Sequence, residues 1–260
     1  MPYTTIEGVE IFYEIKGRGE VVVLMHHGFG SSAMWKAIAP GLVRVGYRVL
    51  MYDRRGFGLS GAGQHFAEYY VSGSFREKCL LELERLLDRL GIQAAHLLGQ
   101  CEGGVIALDY ALLRPKRVKS VITSSTQCFS DIPMTELNRM MFPASFSELK
   151  AETRAKLCAW HGEKRARTLY DQCRQYGGAY GKGVFDLRDM LAEVACQVLI
   201  LYPDRSSLFA VEQGVAFYRH LQRSELAVLP GCGHNTYEQQ PGEYLRQVIG
   251  FLQKRVHNPA

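Results

Sequence analysis

Up to about residue 125 the chain alternates continuous apolar runs with amphipathic ones, and that alternation narrows its fold more than any other feature. VVVLM (21–25), RVLMY (48–52) and AAHLLG (94–99) are largely apolar, as strands covered on both faces must be, and VKSVITSS (118–125), with Val118, Val121 and Ile122, reads as a further strand. Between them lie helical patterns. SSAMWKAIAPGLVRVGY has Ser31 or Ser32 as an N-cap, and SFREKCLLELERLLDRLG puts Leu80, Leu83, Leu87 and Leu90 on one face before Gly91 stops it. CEGGVIALDYALLRP follows the third of these strands. Two shorter strands open the chain, with turns at Gly8 and at Gly17 to Gly19. Strand, helix, strand in succession is the pattern of a doubly wound parallel sheet.

From about 127 to 192 the alternation fails, and the chain becomes helical and irregular. A single domain seldom carries so long a structureless loop, so this stretch reads as a helical insertion over the sheet. The sheet pattern then resumes with QVLILYPDRSS, the helix LFAVEQGVAFYRHL, the strand ELAVLPGCGHN and a closing helix from about Glu238 to Val256. The expectation is an α/β fold with a mostly parallel, eight-stranded doubly wound sheet. Its core domain spans 1–126 and 193–260, and its helical lid spans 127–192.

Composition excludes several function classes. The 260 residues are 47% hydrophobic and 22% charged, ordinary for a globular chain, with a net charge of +5. The basic residues are scattered. The densest clusters, Lys164–Arg165–Arg167 and Lys254–Arg255, form no stripe that would track a nucleic acid. No apolar stretch approaches the ~20 residues of a membrane helix, and the N-terminus lacks the charged start and apolar core of a signal peptide. The seven cysteines contain no CxxC pair, which speaks against a disulfide framework and against a zinc or other metal site, and suits a reducing cytoplasm.

One cysteine is differently placed. In Gly99-Gln100-Cys101-Glu102-Gly103 an apolar strand turns sharply into a helix with the thiol at the tip. Small residues two positions either side are what a nucleophile on a strained strand-to-helix turn requires, and the helix N-terminus aims N–H groups at it. A buried structural cysteine in a glycine-rich turn fits the same five residues. His234 follows the last strand between Gly231 and Gly233, which leave its ring room to reach the turn. Glu102 suits the first turn of a helix on electrostatic grounds.

Four motifs in order, HHGFGSS, YDRRGFGLS, GQCEGG and LPGCGHNTYEQQP, resemble the α/β-hydrolase superfamily over nearly the whole chain. The cysteine is similar to that of dienelactone-hydrolase-like members at this one position. The resemblance implies that Cys101 attacks an acyl carbon and that His234 is its base. It implies an oxyanion hole from the backbone N–H groups of Phe29 and Glu102, with Gly28 and Gly30 letting that loop approach the substrate. The family's usual aspartate position falls on Ser206 and its usual proline on Ala210, so the acid stays open: Asp204 two residues earlier, Asp131 after the preceding strand, or none. Asp53, Arg55, Gly56 and Gly58 match a structural element of the family.

The lid carries Met134, Met140, Met141, Phe142, Phe146, Trp160, Tyr170, Tyr176 and Tyr180, and part of this set must be its own core. Met134, Trp160, His161 and Tyr176 are the candidates for lining a partly apolar pocket, and the glycine-rich QYGGAYGKG reads as a hinge or rim. The expected function is a cofactor-free hydrolase of a small acyl ester, lactone or thioester. Acyl transfer at the same site is one alternative. A non-catalytic ligand-binding protein is another, kept open by Ser206.

Overall fold

The computed structural model describes residues 2–257. Eight strands, β1 (Tyr3–Ile6), β2 (Val9–Lys16), β3 (Val21–Met25), β4 (Arg48–Tyr52), β5 (Ala95–Gln100), β6 (Val118–Ser124), β7 (Gln197–Pro203) and β8 (Ser224–Leu229), form one sheet in the order β1-β2-β4-β3-β5-β6-β7-β8. β2 runs antiparallel to both its neighbours, and every other pairing is parallel. Register aligns Met25 with Gly99 and Gly99 with Thr123, so the loops after β3, β5 and β6 open at the same edge.

The helices are α1 (Ala39–Arg44), α2 (Phe66–Val71), α3 (Phe75–Arg89), α4 (Glu102–Leu113), α5 (Met134–Met141), α6 (Ala151–His161), α7 (Glu163–Tyr176), α8 (Arg188–Leu191), α9 (Glu212–His220), α10 (Thr236–Gln239) and α11 (Pro241–His257). Strand side chains alternate between faces, and both sets are apolar here. Val23, Leu97, Val121 and Ile200 pack with α3, α4 and Phe217 of α9. Val22, Leu24, Leu98, Ile122 and Leu199 pack with Trp35, Leu42 and the Tyr244, Val248 and Phe251 face of α11. On α3, Leu83 and Leu87 are fully buried, and Gly91 ends the helix with φ 65°.

Three expected helices are shorter than their apolar patterns. Residues 31–47 form a 3₁₀ turn, Ser32–Ala37, capped by Ser31, and then α1, because Pro40 suits the first turn of a helix and not its interior. The closing helix divides at Pro241 for the same reason, with the short α10 before it. α9 starts only at Glu212, because the N–H groups of Leu208 and Phe209 donate to Ser206 Oγ and fold that stretch into a turn. Between β6 and β7 the chain leaves the sheet through α5, α6, α7 and α8. An isolated bridge from Phe129 to Asp186 ties the two ends of this excursion. The excursion has a small core of its own, Phe146, Leu157, Ala166 and Tyr170. Among the described residues no helix is long and apolar enough to cross a membrane.

Candidate active site

Cys101 stands between β5 and α4 with φ 53° and ψ −117°, a conformation that costs a non-glycine residue of order 1–3 kcal/mol and persists only where its surroundings enforce it. Here the Cys101 N–H donates to Ser124 O at 2.7 Å, and Thr126 Oγ1 donates to Cys101 O at 3.1 Å. A Cβ at Gly99 would run into the Gly103 backbone, and one at Gly103 into the Met25 carbonyl, so the glycines are the condition for so tight a turn. The thiol borders a cavity of about 530 Å³ whose lining includes Gly28, Phe29, Met134, Trp160, Tyr180, Phe209 and His234. Burial pushes the Cys101 thiol up to about 12. The Tyr180 hydroxyl, 3.4 Å from the sulfur, and the Glu102 N–H oppose that rise, while the Glu102 carboxylate adds to it.

His234 reaches the same cavity. Its carbonyl accepts from Gln100 Nε2 and from Ser125 Oγ, both at 2.8 Å, so the ends of β5 and β6 pin the loop of His234 beside the turn at Cys101. Phe209 packs edge-on against the ring at 5.4 Å. Burial brings the imidazole down to about 4. No hydrogen bond joins Cys101 and His234 among the described residues; the sulfur's partner is Tyr180.

The acid is not where Asp204 was expected to supply it. Its carboxylate accepts the Cys232 N–H at 3.1 Å and the Gly231 N–H, and these bonds, together with Arg205, hold it below the usual carboxylate range. Asp204 therefore caps the backbone of the histidine loop instead of facing the ring. Asp131 is exposed to solvent. The group that faces His234 Nδ1 is Ser206 Oγ, at 3.4 Å.

The proposed oxyanion donors differ in availability. The Phe29 N–H is taken by His27 Nδ1 at 3.2 Å, whereas that of Glu102 opens α4 beside the sulfur. The Glu102 side chain is more than a first-turn acid. It pairs with Arg54 Nη2 at 2.6 Å, both side chains 3% exposed or less, and it accepts the Ala179 N–H from the excursion between β6 and β7. Arg54 in turn contacts His26 and the His27 carbonyl.

Met134, Trp160 and Gly28 line the cavity, but Gly30, His161 and Tyr176 are not part of its lining. His161 instead donates through Nε2 to Phe29 O at 3.0 Å and accepts the Gly58 N–H at Nδ1 at 2.8 Å, stapling α6 to two loops of the sheet domain. The Tyr176 ring is covered by Lys182, whose Nζ lies 4.4 Å from its centre. Gly30 is displaced by geometry: its α-carbon faces Met34 and His26. The glycine-rich stretch is not a free rim either. Gly177 and Gly178 take positive φ so that the chain can close over the Glu102 carboxylate, and Ala179 is buried. Ser206 stands opposite His234, where the resemblance places the family's aspartate; Arg54 in this role was beyond sequence reasoning, and Tyr180 was visible only as one aromatic among several.

The alpha/beta hydrolase fold family matches residues 21–163, from β3 through the turn at Cys101 to the first residue of α7. The chain belongs to the α/β-hydrolase fold family. A proline iminopeptidase from Lactobacillus helveticus is 36% identical to this α/β-hydrolase over 155 residues, 58% of this chain and 51% of that protein, so the match spans about half of that relative's length. The 2-hydroxy-6-oxononadienedioate/2-hydroxy-6-oxononatrienedioate hydrolase of Paraburkholderia xenovorans is 26% identical over 277 residues, covering 94% of this chain and 91% of that one. The crystal structure of an enol-lactonase from Burkholderia xenovorans superposes with a TM-score of 0.78 at 18% identity, covering 97% of this α/β-hydrolase and all of the other chain, a likeness of fold.

Proposed function

We propose that this chain hydrolyses a small, partly apolar acyl compound (an ester, lactone or thioester) through an acyl-enzyme on Cys101, with His234 as the base and no cofactor. The observation that carries this reading is the strained backbone of Cys101 at the mouth of α4, on a cavity that His234 shares. A buried structural cysteine has no need of such a conformation. Kinship with an iminopeptidase and a dienedioate hydrolase supports hydrolysis over other chemistry. The cysteine as nucleophile, in the manner of dienelactone-hydrolase-like enzymes, rests on Cys101 alone.

The burial of both groups sets the form of the mechanism. A thiol pushed up to about 12 and an imidazole brought down to about 4 are both neutral at pH 7. The resting site is then an uncharged pair, not a thiolate–imidazolium pair. Attack proceeds by general-base removal of the thiol proton by His234 Nε2 as the sulfur lone pair joins the carbonyl carbon and the π pair moves to oxygen. Hydrogen bonds of this kind are often long before substrate binds and tighten in the complex. The oxyanion forms beside the Glu102 N–H. Collapse expels the leaving group with the proton from His234, and water activated by the same imidazole then cleaves the thioester.

Ser206 opposite His234 favours a second reading, a ligand-binding protein on the same scaffold, because among the described residues a hydroxyl, not a carboxylate, faces Nδ1 of the ring. Turnover of a series of p-nitrophenyl acyl esters by the native chain and by Cys101→Ala separates the two. Hydrolysis requires turnover that the variant loses while it still binds the ester's acid product. Equal, background rates in both proteins would leave only binding.

A further inference from the structure

We propose that Tyr180 is a catalytic residue of this site: its hydroxyl donates to the Cys101 sulfur and stabilises the thiolate that develops as the thiol proton leaves. The proposal rests on Cys101 being the nucleophile, and it adds to that reading a group from the lid.

Geometry supports it on three counts. The Tyr180 oxygen lies 3.4 Å from Sγ, the hydrogen-bond contact of that sulfur. The Gln127 N–H approaches the same phenol oxygen at 3.4 Å, which engages a lone pair there and leaves the phenol hydrogen for the sulfur. The ring is fixed, edge-on to Phe185 at 4.8 Å and to Phe209 at 6.2 Å, so the hydroxyl is not one conformer of a mobile side chain. Burial and the neighbouring thiol hold the phenol well above its ordinary value, so it keeps its proton across the working range of pH and acts as a donor throughout.

The way Tyr180 is held connects it to the nucleophile turn. Ala179, the residue before it, donates its N–H to Glu102, the residue after Cys101. Gly178, with φ 58°, has no Cβ to collide with that carboxylate. Arg54 neutralises Glu102 from the other side. The carboxylate that raises the thiol pKa by its charge thus also anchors the segment whose hydroxyl lowers it. During attack the S–H proton passes to His234 Nε2 and the new C–S bond takes the sulfur lone pair. The Tyr180 O–H bond stays intact, and only its hydrogen bond strengthens as charge builds on sulfur.

The ionisable groups facing the sulfur are Glu102 on α4, Arg54 after β4, Cys173 on α7, Tyr202 on β7, Tyr237 on α10 and His234 after β8. Tyr180→Phe leaves all of them in place and removes one oxygen. The test is the rate of Cys101 carbamidomethylation by iodoacetamide between pH 7 and 10 in the full chain, read by peptide mass spectrometry with the half-buried Cys158 as internal standard. A lost hydrogen bond of this type corresponds to a roughly three- to tenfold slower reaction of Cys101 throughout this range, which lies below the titration of a thiol pushed up to about 12. A second measurement on the same variant, with a p-nitrophenyl ester, is expected to show slower acylation, because the sulfur carries developing negative charge as its proton leaves. An unchanged or faster Cys101 alkylation profile overturns the proposal. Alkylation does not depend on turnover, so a lost contrast with turnover preserved refutes the role of Tyr180 alone. A preserved contrast without turnover instead refutes the hydrolase reading.

Discussion

Replacing Ser206 by aspartate tests the electrostatics of the site most sharply. Ser206 Oγ is 3.4 Å from His234 Nδ1 and also accepts the N–H groups of Leu208 and Phe209, at 3.2 and 3.1 Å. A carboxylate can keep both backbone bonds, since aspartate makes the same kind of turn. At 3.4 Å a full charge attracts an imidazolium by about 5 kcal/mol if the effective dielectric constant is ~20. If about half of this survives solvation and imperfect geometry, His234 rises by about 2 pH units, from about 4 to near 6. The same 2–3 kcal/mol, expressed in the transition state where the imidazolium forms, accelerates acylation by roughly 30- to 150-fold. The assay is kcat/KM for a p-nitrophenyl acyl ester from pH 4 to 9. The native chain is expected to show no acid limb above about pH 5, because its base stays neutral until pH falls to about 4. Ser206→Asp is expected to show a higher plateau and an acid limb near pH 6. A native acid limb near 6.5, or a variant with neither a faster plateau nor a shifted limb, refutes the assignment of His234 as a buried, carboxylate-free base.

Two further outcomes follow from buried charge. Burial lowers His26, His27, His161 and His234, the last two to about 4, so the unfolded chain takes up protons first and stability present above about pH 6.5 is lost as pH falls toward 4. His161 and His234 are each worth of order 2 kcal/mol at pH 5, His26 and His27 act in the same direction, and Glu82, pushed up to about 7 by burial, offsets about one of them. Urea unfolding should therefore give a stability several kcal/mol lower at pH 5 than at pH 7.5, and equal values would contradict the burial of these rings. Arg54→Ala leaves Glu102 buried and unpaired, at a cost of about 3–5 kcal/mol in a denaturant melt, whereas Arg54→Met with Glu102→Gln is expected to recover a large part of it. A loss below about 1 kcal/mol in the single variant would mean that water reaches the pair.

The sheet was legible because its strands are apolar on both faces, which few other structures require: Val22 and Val23 face opposite layers and both are fully buried. Helix ends were less legible, since Pro40 and Pro241 break apolar patterns that run on through them. The tight turn at Cys101 could be read because its backbone admits only small residues at 99 and 103, and that constraint is written in the chain. The acid could not. A carboxylate two positions from the usual place says nothing of where it points, and Asp204 points at the N–H groups of Gly231 and Cys232. Arg54 and Glu102 lie 48 residues apart, and their pairing depends on how the loop after β4 folds against α4, which no local pattern records. His161 was a pocket candidate because it lies in the insertion, as Trp160 does, yet on a helix adjacent positions face about 100° apart. One of the two lines the cavity and the other binds backbone.

Intact-mass and peptide analysis of the native chain, quenched during reaction with a p-nitrophenyl acyl ester, tests the central claim most directly. A mass increase of one acyl group, confined to the peptide bearing Cys101, formed at the rate of the p-nitrophenol burst and absent from Cys101→Ala, is the predicted result. Turnover with no adduct on Cys101, or an adduct that persists when Cys101 is removed, would contradict it.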